Sequence, residues 1–134
     1  MAHVNVRFGF EWNELGDIRI DEFEKLVFPS VSAGPGLYRF CFAGEHLSSV
    51  YIGETSQLRR RFTQYRTPGI SQQTNIRLNR VISDALQAGG KVTASVLTEI
   101  DMPALGLVRK HDRVLLEHGA IMCARIDGHE ILNS

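Results

Sequence analysis

The chain has 134 residues with 15 basic and 15 acidic side chains, a formal net charge of zero and 2 cysteines. That length suits one domain whose core needs no disulfide or metal staple, and the neutral balance argues against a strong, non-specific nucleic-acid binder. No apolar run approaches the roughly 18 residues that span a membrane, the start Met1-Ala2-His3-Val4-Asn5-Val6-Arg7 lacks the basic-then-apolar order of a secretory leader, and Cys41 and Cys123 fit neither zinc nor redox spacing, so both are expected to be reduced core residues of a cytoplasmic protein.

Val4, Val6, Phe8 and Phe10 alternate and predict a strand. Asp21 to Phe28 reads as a short helix, started by Asp21 and stopped by Pro29. Ser30 to Pro35 is a loop of small and breaking residues. Residues 1–34 are therefore expected to form an N-terminal extension that packs on a domain of residues 35–134.

Two strands follow, Gly36 to Phe42 and Ser49 to Gly53. A two-residue turn at Gly44-Glu45 would pair Tyr38 directly with Tyr51, and a longer loop would still bring both phenols to one surface. A helix capped by Thr55 or Ser56 buries Leu58, Phe62 and Tyr65. A polar loop runs from Arg66 to Thr74. A second helix, about Asn75 to Ala88, buries Leu78, Val81, Ile82, Ala85 and Leu86 and stops at Gly89-Gly90. Val92 to Leu97 is a strand, and a last helix of roughly Leu105 to Ala124 carries Glu117. The fold class is mixed α/β, with a small, mainly antiparallel sheet flanked by helices.

Charge is segregated along this order. From Thr55 to Ser83 there are six arginines, Arg59, Arg60, Arg61, Arg66, Arg77 and Arg80, and no acid, whereas the residues before Pro29 carry six acids against three bases. Arginine used throughout in place of lysine suits bidentate contact with phosphate.

The tripeptides Gly36-Leu37-Tyr38 and Tyr51-Ile52-Gly53 resemble those of the GIY-YIG nuclease superfamily, which includes the nicking subunit of bacterial excision repair and some homing and restriction endonucleases. The resemblance runs from about Pro35 to Asn133. Arg61 matches the arginine that follows the second tripeptide, Tyr65 a further tyrosine one turn on, Glu117 the metal-binding glutamate of a later helix, and Asn133 the asparagine that closes the core. Leu37 replaces isoleucine harmlessly. Glu54 stands where some members carry lysine, so it either weakens phosphate attraction or pairs with an arginine nearby.

The resemblance implies an endonuclease with Tyr38, Tyr51, Arg61, Glu117 and Asn133 at its catalytic site, and Arg59, Arg60, Tyr65, Arg66, Arg77 and Arg80 toward the substrate. It implies one Mg2+ or Mn2+ ion on Glu117, since magnesium is commonly held by one or two carboxylates plus waters. One tyrosine would act as general base, which requires its pKa to fall from about 10 toward neutrality. Nucleic acid is the partner, with DNA favoured over RNA by family weight, and no membrane is involved. A chain of this length has little room for a specificity domain, which leaves a stand-alone nuclease of weak sequence preference, a homodimer or a specificity-giving partner protein. A catalytically silent nucleic-acid-binding module on the same fold is the alternative. Taken singly, Tyr38 and Tyr51 could be packing residues, and Glu117 could simply pair with Arg113 one turn before it. His111 and His118 match no metalloprotease spacing.

Overall fold

The computed structural model describes residues 2–133 apart from Val6, Phe8, Glu45, His46 and Pro103. In chain order its elements are β1 (Asn13–Asp17), β2 (Arg19–Ile20), β3 (Leu26–Val27), β4 (Gly36–Phe42), β5 (Ser49–Thr55), α1 (Leu58–Arg66), α2 (Gln73–Gln87), β6 (Val92–Leu97), α3 (Lys110–Ile126) and β7 (Glu130–Ile131). Five strands form one sheet in the order β1-β6-β4-β5-β7, and β2 and β3 form a separate two-stranded ribbon. Every pair in the main sheet is antiparallel except β5 with β7.

Alternation along the central strands sorts the core into two layers. Tyr38, Phe40, Phe42 and Tyr51 face α1 and α2, where they pack with Leu58, Phe62, Tyr65, Leu78 and Ile82. Leu37, Val50 and Ile52 face the other way, onto Leu116, Ala120 and Ala124 of α3. The sheet is thus covered on both faces, and a side chain that must serve both layers has to act at a sheet edge.

The N-terminal segment departs from its expected form. The described residues between 2 and 12 are irregular, and Val6 and Phe8 of the expected strand lie outside the described residues. The strand forms later, at β1, because there it can pair with β6 and complete the sheet edge. The expected helix at 21–28 is instead the β2–β3 hairpin. Asp21 Oδ1 accepts hydrogen bonds from the N–H groups of Phe23 and Lys25 at 2.9 and 3.0 Å, so the carboxylate closes a turn rather than opening a helix. Ile18 and Leu26 from this segment are 1% and 0% exposed within the main core.

Three further boundaries move. The β4–β5 connection is longer than a two-residue turn, so Tyr38 pairs with Gly53 and Phe40 with Tyr51. Both phenols still share one face, with ring centroids 6.4 Å apart. Helix α1 begins at Leu58, after Thr55 Oγ1 has accepted the Gln57 N–H at 3.1 Å in a turn of its own, so neither Thr55 nor Ser56 is the cap. Helix α3 begins at Lys110, five residues later than expected, since residues 104–109 form only a turn and bends. Cys123 is exposed on α3 and is not a core residue, although both cysteines are free thiols. No helix of the described residues is long and apolar enough to cross a membrane.

Because Leu26 is fully buried, Leu26→Ala is expected to destabilise the whole domain by about 2–5 kcal/mol in urea unfolding. A change below about 0.5 kcal/mol, as for a surface position, would show that the hairpin is not part of the core.

Candidate active site

The site gathers at the outer edge of β5. There β7 pairs only with Ser49 and Val50, and the backbone ladder ends with the Leu132 N–H donating to the Val50 carbonyl at 2.8 Å. The next step is made by a side chain. Asn133 Nδ2 donates to the Ile52 carbonyl at 2.6 Å, and the Ile52 N–H donates to Asn133 Oδ1 at 3.1 Å. Asn133 therefore continues the sheet by one amide and fixes the strand that carries Tyr51 and Gly53.

Both tripeptide glycines are places of close approach. A methyl at Gly53 would overlap the Tyr38 phenol across the strand pair, and one at Gly36 would press on the Leu97 carbonyl and on Leu58. Gly53 thus makes the slot in which the Tyr38 ring lies. Tyr38 is 1% exposed, and its hydroxyl shares a 2.6 Å hydrogen bond with the hydroxyl of Tyr65, which is 0% exposed. Tyr65, expected to touch substrate, is a core residue whose hydroxyl meets that of Tyr38. Tyr51 is 9% exposed and is the more accessible of the two strand phenols.

Arg61 is half-buried beside the hydroxyls of Tyr38 and Tyr65. Burial opposes its charge, but the two phenolic oxygens outweigh that effect and hold its pKa above the ordinary arginine value. Burial pushes Tyr38 well above the usual phenol range, with Tyr65 and Tyr51 adding to the rise and Arg61 only partly offsetting it. Tyr51 is raised by burial first, then by Tyr65 and by the Glu117 charge, while Arg77 pulls the other way. Tyr51, Glu117 and Arg77 are therefore within electrostatic reach of one another. The direction is opposite to the one a tyrosine base needs. With no substrate bound, both phenols are protonated at neutral pH.

Glu117 is half-buried on α3, and its pKa is raised by burial and then by the Glu54 carboxylate, against opposing effects of His118, the Glu54 backbone and Arg61. Among the described residues its carboxylate has no ion-pair or hydrogen-bonding side-chain partner. Arg113, the residue that helical spacing offers it, is engaged elsewhere. Arg113 Nε donates to Glu54 Oε2 at 2.8 Å, and its Nη1 donates to the carbonyls of Leu107 and Val108 at 3.1 and 2.6 Å. The side chains of this pair are 5% and 16% exposed. Removing one member of so buried a pair costs about 3–5 kcal/mol.

The arginines divide between two roles. On α1, Arg59 and Arg61 lie about 200° apart around the helix. Arg59 Nε donates to the Val31 carbonyl at 3.2 Å, while Arg66 donates to the Leu26 carbonyl and pairs with Asp21 at 3.2 Å. These two, expected at the substrate, bind the N-terminal segment instead and line a groove with Phe28 and Phe62. Arg60 sits on the same flank as Arg61, and Arg60 and Arg80 have no hydrogen bond or ion pair among the described residues. Arg77 reaches the Leu132 carbonyl at 3.3 Å. Sequence reasoning passed over Asn79, whose Nδ2 donates to the Tyr65 carbonyl at 2.7 Å and so joins α2 to the end of α1. It also treated Arg113 only as a partner for Glu117. The signal for Asn79 was weak, an amide at the margin of the apolar stripe of its helix.

Among the described residues no group of three or more His, Cys, Asp or Glu side chains stands ready to hold a metal. A single site of one carboxylate plus waters does fit, because the half-buried Glu117 carboxylate takes no side-chain hydrogen bond or ion pair among the described residues.

No protein-family model and no curated protein sequence matches the chain. Among solved structures, bacteriophage T4 EndoII, determined as a glutamate-to-alanine variant, is similar with 18% identity and a TM-score of 0.54 over 86% of each chain. The chain therefore shares the fold of that structure, here a five-stranded, mainly antiparallel sheet with three helices among the described residues. The particular likeness is to the phage enzyme EndoII, at the level of the fold.

Two outcomes follow from the packing. Gly53→Ala is expected to displace the Tyr38 ring at a cost of about 1–3 kcal/mol, seen as a lowered melting temperature and an altered near-ultraviolet tyrosine spectrum. An unchanged spectrum would mean that the slot is not as tight as described. The raised phenols also set an alkaline limit. Their stabilising effect is complete below the unfolded value of 10.0 and is lost as pH rises from there toward the folded values. The melting temperature should fall steeply above about pH 10, less so in Tyr51→Phe. Absorbance at 295 nm showing all 3 tyrosines of the folded chain titrating near 10 would contradict this.

Proposed function

We propose that this chain is a divalent-metal-dependent endonuclease that hydrolyses phosphodiester bonds in DNA. One observation carries the reading. An unpaired, half-buried carboxylate, a half-buried guanidinium and two phenols converge at one strand edge, on a fold shared with EndoII.

In this reading Arg61 counters charge on the phosphoryl oxygens, the largest electrostatic demand of the transition state. Arg60, Arg77 and Arg80 supply phosphate contacts on the approach. Glu117 would hold one Mg2+ or Mn2+ ion, with waters completing the ligand set. When bound, such an ion neutralises phosphoryl charge and makes a bound water more acidic. Tyr51, beside Glu117, orients the attacking water, and Tyr38 is held by Tyr65 to meet the phosphate through Arg61. Because burial keeps both phenols protonated in the free chain, either becomes the general base only where added positive charge offsets that burial. Asn133 works through Ile52, as a positioning residue for the strand between Tyr51 and Gly53.

A second reading, a catalytically silent nucleic-acid-binding module, is favoured by that same protonation of both phenols. Labelled supercoiled, linear and branched DNA, incubated with magnesium or manganese against chelator, separates the two. Metal-dependent cutting is expected, with Glu117→Ala and Arg61→Ala each slower by about 100-fold or more. Tight binding with no cutting of any substrate would favour the silent module and sink the nuclease reading.

A further inference from the structure

We infer that Glu54 and Arg113 are positioning residues whose ion pair keeps Arg113 off Glu117 and so leaves the Glu117 carboxylate available to a cation. The inference rests on the nuclease reading and goes beyond it, since neither residue touches substrate.

The spacing poses the problem. Arg113 and Glu117 lie at i and i+4 on α3, the separation at which opposite charges on a helix ordinarily pair. A glutamate paired there would already be neutralised. In the structure Arg113 is turned away. Its Nε is taken by Glu54 at 2.8 Å, and its Nη1 by the Leu107 and Val108 carbonyls that precede the helix. A guanidinium has a fixed fork of donors, so acceptors on both Nε and Nη1 fix the orientation of its plane. The anchor comes from β5, one residue past Gly53, so the same strand positions both Tyr51 and the group that withdraws Arg113. Glu54 also lies close enough to Glu117 to raise its pKa. Glu54 and Glu117 thus share one neighbourhood, and Arg113 pairs with the first of them, at the sheet edge where Arg61 and Tyr51 converge.

The arrangement explains why an acid can stand where a lysine would have seemed natural. A lysine at position 54 would repel Arg113 and release it toward Glu117. An acid holds it.

The test measures cation binding directly, by the shift in melting temperature of the full chain with added Mn2+, alongside the manganese dependence of DNA cleavage. In Glu54→Gln the charge that holds Arg113 is gone. The manganese concentration for half-maximal shift and half-maximal cleavage is expected to rise about tenfold, while the rate at saturating manganese stays within about threefold of wild type. The double variant Glu54→Leu/Arg113→Leu removes the competitor together with its anchor. A buried ion pair replaced by apolar side chains commonly leaves a folded protein. Its manganese dependence is expected to return to within about twofold of wild type. A merely structural pair would make both variants lose stability and rate without this split. A Glu54→Gln protein with wild-type manganese dependence, or a double variant as impaired as the single one, would overturn the assignment while leaving the nuclease reading intact. A wild type that manganese neither stabilises nor activates would remove the nuclease reading and this inference together.

Discussion

The molecule depends on an unfinished ladder. β5 is paired along its whole inner edge with β4, but on its outer edge β7 covers only Ser49 and Val50 before a side-chain amide takes over. Backbone polar groups of a strand must be satisfied somewhere. Here the need is met by Asn133 at Ile52, and the next step of the edge, the Glu54 backbone, lies by the Glu117 carboxylate. Since α1 and α2 cover one face and α3 the other, this edge is a place where groups from both layers meet. Tyr51 comes from one face and Glu117 from the other.

Charge is arranged to respect that meeting place. The arginines of α1 are sorted by helical phase, with Arg59 and Arg66 tying down the N-terminal segment and Arg61 facing the phenols. The acidic N-terminal segment is thus the counterpart of part of the basic middle, through Asp21 and backbone carbonyls, and the formal neutrality of the chain conceals a division of labour. Burial makes charge costly, and Arg113 offsets that cost with a specific partner in Glu54.

Much of the fold was legible because the central strands and α2 have strong periodicity between clear breakers, and the two tripeptides with Arg61, Glu117 and Asn133 in order pointed to one arrangement. What stayed hidden was set by tertiary pairing. Residues 13–17 have no alternation that marks them as a strand, and they become one because β6 offers an edge. Asp21 is as good a turn former as a helix cap, and the hairpin's burial of Leu26 decided between them. The β4–β5 register depended on a loop length that no local signal fixes. Within the site, the residue types were readable but their partners were not. Nothing in the order of residues said whether Arg113 would choose Glu117, four positions away on its own helix, or Glu54 on a strand.

The strand order also has a consequence for assembly in time. The first strand of the chain and the last lie at opposite edges of the sheet, with everything else between them. Four of the five strands are in place once β6 has been made, yet the polar clasp on Ile52 comes from residue 133. During synthesis the tyrosines, the arginine and finally the glutamate are delivered in sequence, and the outer edge of the strand that carries Tyr51 is pinned only once Glu130–Asn133 have joined it. A chain that has emerged only through α3 therefore holds most of the scaffold without its clasp on Ile52.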